Sequence, residues 1–370
     1  MSKAVSKRLG DLINLKRGYD LPENKRRPGP YPVISSAGVT GYHDEYMVEG
    51  EGVVTGRYGT LGEMYYVNGK YWPHNTALYI TTFKGNYPKY VYYLLSCLGR
   101  IRTSDKSAVP GINRNELHEM AVPAIVDTTL QKKIAAVLSA LDAKIDCNNR
   151  INAELEAMTK ALYDYWFVQF EFPNADGNPY RSSGGKMTFN ATLKREIPEV
   201  WCNSTIGSLI SLEYGKGLKA ENRTGSGYPV IGSNGVVGYH TDFLVKGPGI
   251  VVGRKGTVGA ITFIHTDFFP IDTTYYVKPI AEIGFIYLKY LLSSLGLENM
   301  NSDSAVPGLN REAALRIPIA SPPTSLIQDF EQKIAPIFKK MHISSQENQQ
   351  LSKLREWLLP LLMNGQVSVV

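Results

Sequence analysis

Residues 31–80 overlay residues 228–277 at a constant offset of 197, with 22 of 50 positions identical and no gap. Tyr31-Pro32-Val33-Ile34 returns as Tyr228-Pro229-Val230-Ile231, and Gly41-Tyr42-His43 as Gly238-Tyr239-His240. Gly56-Arg57-Tyr58-Gly59-Thr60 returns as Gly253-Arg254-Lys255-Gly256-Thr257. The register holds as far as Ser107-Ala108-Val109-Pro110-Gly111-Ile112-Asn113-Arg114, which reappears as Ser304-Ala305-Val306-Pro307-Gly308-Leu309-Asn310-Arg311. Unrelated segments would agree at about three of fifty places. A solenoid repeats every 20–50 residues or so. A period of this length means a duplicated whole domain, and a pseudo-twofold monomer is the expectation.

A chain of 370 residues suits two or three domains, each with its own core. No run of about eighteen apolar residues is present, so no membrane span is expected. The N-terminus has no apolar signal core, which predicts a cytoplasmic protein. Cys97, Cys147 and Cys202 lie far apart without a Cys-x-x-Cys, arguing against a disulfide framework or a zinc site. The net charge of +6 is compatible with a polyanion but weak evidence alone. It is unevenly placed. Residues 1–30 carry Lys3, Lys7, Arg8, Lys16, Arg17, Lys25, Arg26 and Arg27 against Asp11, Asp20 and Glu23, whereas the matching part of the second copy is nearly balanced.

Each copy opens with an apolar, strand-like stretch, Leu9 to Leu15 and Ile206 to Leu212. Short runs rich in Val, Ile, Tyr and Thr follow, cut by glycine and proline. In the first copy these are Tyr31–Ser35, Gly52–Thr55, Met64–Val67 and Leu78–Thr82. In the second they are Tyr228–Ser233, Ile250–Val252, Ile261–Ile264 and Tyr275–Val277. A helix is expected near Pro88–Gly99 and near Phe285–Leu295. Each copy therefore reads as an α/β (α+β) domain with a small, strongly bent sheet.

After Pro123 the period changes. Ile134, Leu138, Leu141, Ile145, Ile151, Leu155, Met158 and Leu162 form an amphipathic stripe uninterrupted by Pro or Gly. A second stripe ends the chain through Ile327, Phe330, Ile334, Ile337, Met341, Leu351, Leu354, Leu358 and Leu361. Thr128 with Gln131 and Ser325 with Gln328 are candidate capping boxes. Pro336 predicts a kink or the true first turn of the second helix. Forty helical residues span roughly 60 Å, and the economical packing is an antiparallel pair separating the two domains. The predicted organisation is domain one over 1–125, a long helix over 126–169, a linker over 170–197, domain two over 198–322 and a distal long helix over 323–370.

The Gly-Arg-x-Gly-Thr loop is the main candidate contact. Glycines permit a close approach, and a guanidinium between them can fork onto a phosphate or onto guanine O6 and N7. Arg57, Thr60, Arg254 and Thr257 recur between copies. Tyr58 and Lys255 differ, which suits sequence-specific reading. Lys16, Arg17, Arg26, Arg27, Arg114 and Arg311 complete the DNA-binding candidates. The Ser-Ala-Val-Pro-Gly-x-Asn-Arg stretch reads equally as a structural turn and as a DNA-facing loop. Gly-Tyr-His reads as a structural pair, since no further ligand recurs at metal spacing. No Gly-x-x-x-x-Gly-Lys-Ser/Thr is present, and no motif supports catalysis by the chain itself.

Two α/β domains, each followed by a long helix and carrying these loops, resemble the specificity (S) subunit of type I restriction-modification systems. So do Gln131-Lys132-Lys133-Ile134-Ala135, Glu171-Phe172-Pro173, Gly177-x-Pro179-Tyr180 and Gly184-Gly185. The resemblance covers essentially the whole chain. It implies two target-recognition domains, each reading half of a bipartite, asymmetric site in double-stranded DNA. It implies helices that set the half-site spacing and dock two modification (M) subunits, with restriction (R) subunits where present. S-adenosylmethionine, ATP and Mg would belong to those partners, leaving this chain non-catalytic and without a cofactor. The competing expectation is a twin-domain protein-binding scaffold without DNA specificity.

Overall fold

The computed structural model describes residues 4–57, 63–98, 113–280, 282–300 and 308–369. They form two compact units, Met1–Asn148 with Gln346–Val370, and Asn149–Ser345. Each unit thus combines one copy of the repeated domain with parts of both long helices.

In the first unit six strands lie in the order Asn14–Arg17, Ala77–Thr82, Val48–Gly56, Met64–Pro73, Tyr31–Ser35 and Gly38–His43. Neighbours run antiparallel except Tyr31–Ser35, which meets the end of Met64–Pro73 in parallel. Side chains alternate across a strand, so consecutive apolar residues serve both faces. Leu15, Val53, Leu78 and Ile80 pack with Tyr90, Val91 and Leu94 of the helix Pro88–Cys97. Val54 and Tyr79 turn the other way, towards Ile34 and Tyr71. Covering both faces explains why the strands read as near-continuous apolar runs. The second unit repeats the scheme. Ile250, Val252 and Val277 meet the helix Phe285–Ser293, while Val251 joins Ile231 and Phe268.

The copies part at one strand. Met64–Pro73 is continuous and pairs with Val48–Thr55 along its length. Its counterpart is divided into Ile261–Ile264 and Phe269–Pro270, so the second copy has a four-stranded and a three-stranded sheet. Pro248 stands at the position of Glu51 and lacks the N–H that a ladder needs. The Gly247 N–H donates instead to Asp267 Oδ1 at 2.8 Å.

The opening stretch of each copy is only half strand. Leu9–Leu12 and Ile206–Leu209 are single helical turns, followed by Asn14–Arg17 and Ile210–Tyr214. Leu9 and Leu12, three apart, are both buried, as are Ile206 and Leu209, which suits a turn better than a strand. Val5–Arg8 pairs with Ala121–Ala124, and Cys202–Thr205 with Pro318–Ser321, closing each copy on itself.

The proximal helix spans Thr128–Tyr163 and continues as a π-helical turn over Asp164–Val168. Its cap is Asp127, whose Oδ1 accepts from the N–H groups of Thr129 and Leu130 at 2.8 and 3.4 Å, so the expected Thr128/Gln131 box is displaced. The fully buried Gln131 amide is used elsewhere. It accepts from the Tyr87 N–H and donates to Asn86 Oδ1 and the Ile125 carbonyl, fixing the entry to the helix Pro88–Cys97. Glu331 plays the mirrored part, accepting from the Tyr287 N–H at 2.6 Å. The distal helix spans Thr324–Met363. Ser325 lies inside it and cannot be its cap. Pro336 also lies well inside it, so it does not mark the first turn.

In the first unit the two helices are antiparallel. Asp142 pairs with Arg355 at 2.7 Å, and further along Lys144 and Asn148 meet Glu347. In the second unit Asn152 Nδ2 donates to the Met341 carbonyl and to Ser345 Oγ. The stretch read as a linker, 170–197, contains a hairpin of Met187–Asn190 and Arg195–Pro198. Phe170 and Phe172 pack there on Trp201. Among the described residues no helix is long and apolar enough to cross a membrane.

Candidate nucleic-acid interface

The Gly-Arg turn closes a strand in both copies and is locked in the same way. The Arg57 N–H donates to the Thr76 carbonyl, and the Arg254 and Lys255 N–H groups to the Thr273 carbonyl. The partner turns, 73–77 and 270–274, are themselves tied down. His74 N–H reaches the Ile34 carbonyl and Ile271 N–H the Ile231 carbonyl. Gly18 and Gly215 complete the crossing, because a Cβ at either would stand 2.2 or 2.1 Å from a backbone oxygen. The Asn-Thr and Asp-Thr pairs after proline are thus a structural knot that aims the arginine.

In the second copy this turn meets the second repeated motif. Leu309 N–H donates to the Arg254 carbonyl at 2.9 Å, and Tyr275 Oη donates to the Leu309 carbonyl at 3.2 Å. Burial, reinforced by neighbouring Tyr214, pushes the Tyr275 hydroxyl up to about 12, so it remains a donor at neutral pH. Asn310 caps the short helix Arg311–Leu315 by accepting from the Ala313 N–H. That leaves Arg311 facing outward from the cap. The Arg254 guanidinium lies 5.2 Å from the Tyr214 ring centroid and that of Arg311 lies 5.6 Å from the same centroid. Lys255, Gly256 and Thr257 form the exposed arch beside them, with Gly256 at φ +79°. The structure therefore gathers Arg254, Lys255, Thr257 and Arg311 around an aromatic platform that the sequence reading missed. The available signal was divergence: Tyr214 and Tyr275 stand where the first copy has Arg17 and Leu78.

The first copy keeps the arginines but has Arg17 and Leu78 where the second has Tyr214 and Tyr275. Arg17 is exposed and pairs with Asp20 at 3.6 Å, and Lys16 Nζ lies 5.3 Å from the Tyr19 ring centroid. Asn113 again caps a short helix, Arg114–Glu119, with Arg114 exposed at its start. Tyr58, Thr60 and the whole Ser-Ala-Val-Pro-Gly stretch of this copy lie outside the described residues.

Arg26 and Arg27 are placed at the Gly38–His43 hairpin. Arg26 Nη1 donates to the Thr40 carbonyl at 2.8 Å, and Arg223 repeats this on the Val237 carbonyl. Arg27 bonds to Asp44 at 2.7 Å and Glu45 at 2.6 Å, and its guanidinium holds the Asp44 carboxyl below the usual carboxylate range. His43 is buried, accepts from the Arg27 N–H and sits edge-on to Trp72 at 5.3 Å. Of the Tyr-His motif the histidine packs within the hairpin, whereas Tyr42 and Tyr239 are exposed. Among the described residues no cluster of three metal-ligating side chains forms.

The sequence pattern of a protein family described as "Type I restriction modification DNA specificity domain" matches residues 1–157 and again 198–355. The chain is 23% identical over 320 residues to the type I restriction enzyme HindI specificity subunit of Haemophilus influenzae, covering 66% of this chain and 68% of that one. It is 24% identical over 317 residues to the MjaIX specificity subunit of Methanocaldococcus jannaschii, covering 76% and 69%. The crystal structure of a type I restriction-modification S subunit from M. genitalium superposes with a TM-score of 0.65 at 18% identity, over 97% of this chain and 96% of that one. That likeness shows a shared fold with duplicated domains.

Proposed function

Because the chain belongs to the type I restriction-modification DNA specificity family, we propose that each of its two domains reads one half of a bipartite site in double-stranded DNA. The family assignment supports DNA sequence recognition as the coarse function. The observation that carries the finer reading is the repeated arginine, whose N–H is held by the carbonyl of the equivalent threonine in both copies while its sequence neighbours differ. Backbone contacts are alike at any sequence, whereas base contacts specify it. Shared residues such as Arg57 and Arg254 suit the first task, and Tyr58 and Lys255 the second.

In this reading the long helices fix the spacing between half-sites and dock two modification subunits. Restriction subunits join where they exist. S-adenosylmethionine, ATP and Mg2+ are assigned to those partners. The chain itself recognises and scaffolds.

The test is co-expression with a candidate cognate type I modification subunit, followed by methylome sequencing for N6-methyladenine. One bipartite motif appearing only when both chains are present is the expected result. A stable complex that adds no methylation motif would favour the protein-binding scaffold instead.

A further inference from the structure

We propose that Arg254 and Arg311, seated on the ring of Tyr214, form a clamp for a single backbone phosphate of the DNA. The inference deepens the reading of this chain as a DNA-recognition protein and rests on it. Three observations lead there. First, two guanidinium groups lie over one aromatic ring, 5.2 and 5.6 Å from its centroid, so two like charges gather at one side chain. Second, Arg254 Nε is buried and has no hydrogen-bond partner among the described residues. Third, the main chain holds both arginine-bearing segments together through Leu309 N–H to the Arg254 carbonyl, and Tyr275 Oη holds the same loop. Glu312, 3.1 Å from Arg311, offsets part of that charge.

The charge pattern selects the ligand. A guanine edge offers acceptors but no net charge, and would leave two cations facing each other. A phosphate supplies several acceptor oxygens and the compensating charge, and guanidinium binds it in a fork. Duplication points the same way. Arg57 and Arg114 occupy the matching positions in the first copy, as expected for a ligand that both half-sites present alike. The platform is what differs, with Arg17 in place of Tyr214 and Leu78 in place of Tyr275. Tyr214 is thus a positioning residue. Its ring holds both guanidinium groups by cation–π attraction, leaving the exposed Lys255 and Thr257 to meet the bases.

The measurement is fluorescence-anisotropy binding of the full chain, assembled with its modification subunits. The probe is a labelled duplex carrying the sequence that the complex methylates, titrated over a range of salt. Log affinity falls against log salt with a slope of about 0.9 per neutralised phosphate. Arg254→Gln and Arg311→Gln are each expected to weaken binding with little change of slope, since the remaining guanidinium keeps the phosphate neutralised, and the double variant is expected to reduce the slope by about one, because one phosphate is shared. Tyr214→Leu, which removes no charge, is expected to weaken binding several-fold on every sequence, while Tyr214→Phe retains it. A double variant that loses two steps would assign the arginines to separate phosphates and overturn the clamp. An unchanged slope in the double variant, with the motif relaxed at one base pair, would make them base readers and also overturn it. Thermal midpoints of the variants separate loss of fold from loss of contact. Wild-type complex that shows no salt-dependent duplex binding would instead remove the DNA-recognition reading itself.

Discussion

Glycines repeated between the copies record what stands opposite them. A Cβ on Gly52 would meet the Tyr71 hydroxyl at 2.1 Å, and one on Gly249 would meet the Phe268 ring at 2.6 Å. Tyr71 and Phe268 are themselves equivalent and fully buried. Neither ring can yield, so Gly249→Ala overpacks the sheet and is expected to cost about 1–3 kcal/mol, seen as a lower urea midpoint. Histidine gives a second prediction at this scale. Burial, with His342 stacked at 4.5 Å and Lys289 nearby, holds the His265 ring down to about 4. An unfolded histidine titrates near 6.5. Between those values the unfolded chain binds more protons, so the stability contributed by neutral His265 is full above about 6.5 and is lost as pH falls towards 4. Comparing unfolding midpoints at about pH 7 and pH 5, His265→Gln should lose less than the wild type. Equal losses would show that His265 does not carry the acid sensitivity.

Elements are joined by polar pins at places where apolar pattern says nothing about register. Asp142 on the proximal helix accepts from Tyr93 Oη at 2.5 Å and from Arg355 at 2.7 Å. One carboxylate therefore pins the helix Pro88–Cys97 and the distal helix at once. The Tyr93 hydroxyl is pushed up by burial and by that carboxylate, and the Arg355 guanidinium is likewise raised by Asp142. Asp142→Ala removes both partners and is expected to destabilise the chain by about 1–3 kcal/mol, with Asp142→Asn intermediate, by chemical denaturation. Loss of less than about 0.5 kcal/mol would mean that apolar packing alone sets this junction. Asn148, buried at 2% exposure, adds a polar contact to Glu347 and Asn348 in the same seam. A buried amide of this kind favours one helix register over its slipped alternatives.

At the scale of the molecule, the first unit is built from two distant stretches of chain, Met1–Asn148 and Gln346–Val370, whereas the second is the continuous stretch Asn149–Ser345; each holds a domain with parts of both helices. The first unit's core includes Leu362 and Met363 from the end of the distal helix. Helix length is therefore tied to both units. Under the proposed function, inserting one heptad into the proximal helix should change the spacer tolerated between half-sites, or abolish methylation. Methylome sequencing reads either result. An unchanged motif with unchanged spacer would refute the helices as the ruler.

The sequence by itself determined that there are two homologous domains, several of the central strands in each, and the two long helices. Each of these is written as a local period or as identity at a fixed offset, so no distant contact is needed to see it. It also marked the Gly-Arg turn, because both copies retain it. Tertiary structure decided the rest. The capping role passed from Thr128 to Asp127 because Gln131 is drawn away to Tyr87, Asn86 and Ile125. Arg26 and Arg27 read in sequence as DNA-contact candidates, and only the folded hairpin engages one with a carbonyl and the other with two carboxylates. The pairing of Arg254 with Arg311 on Tyr214 joins residues from three separate segments. Such encounters depend on how loops close over the sheet, and local periodicity carries no record of which side chains that closure brings together.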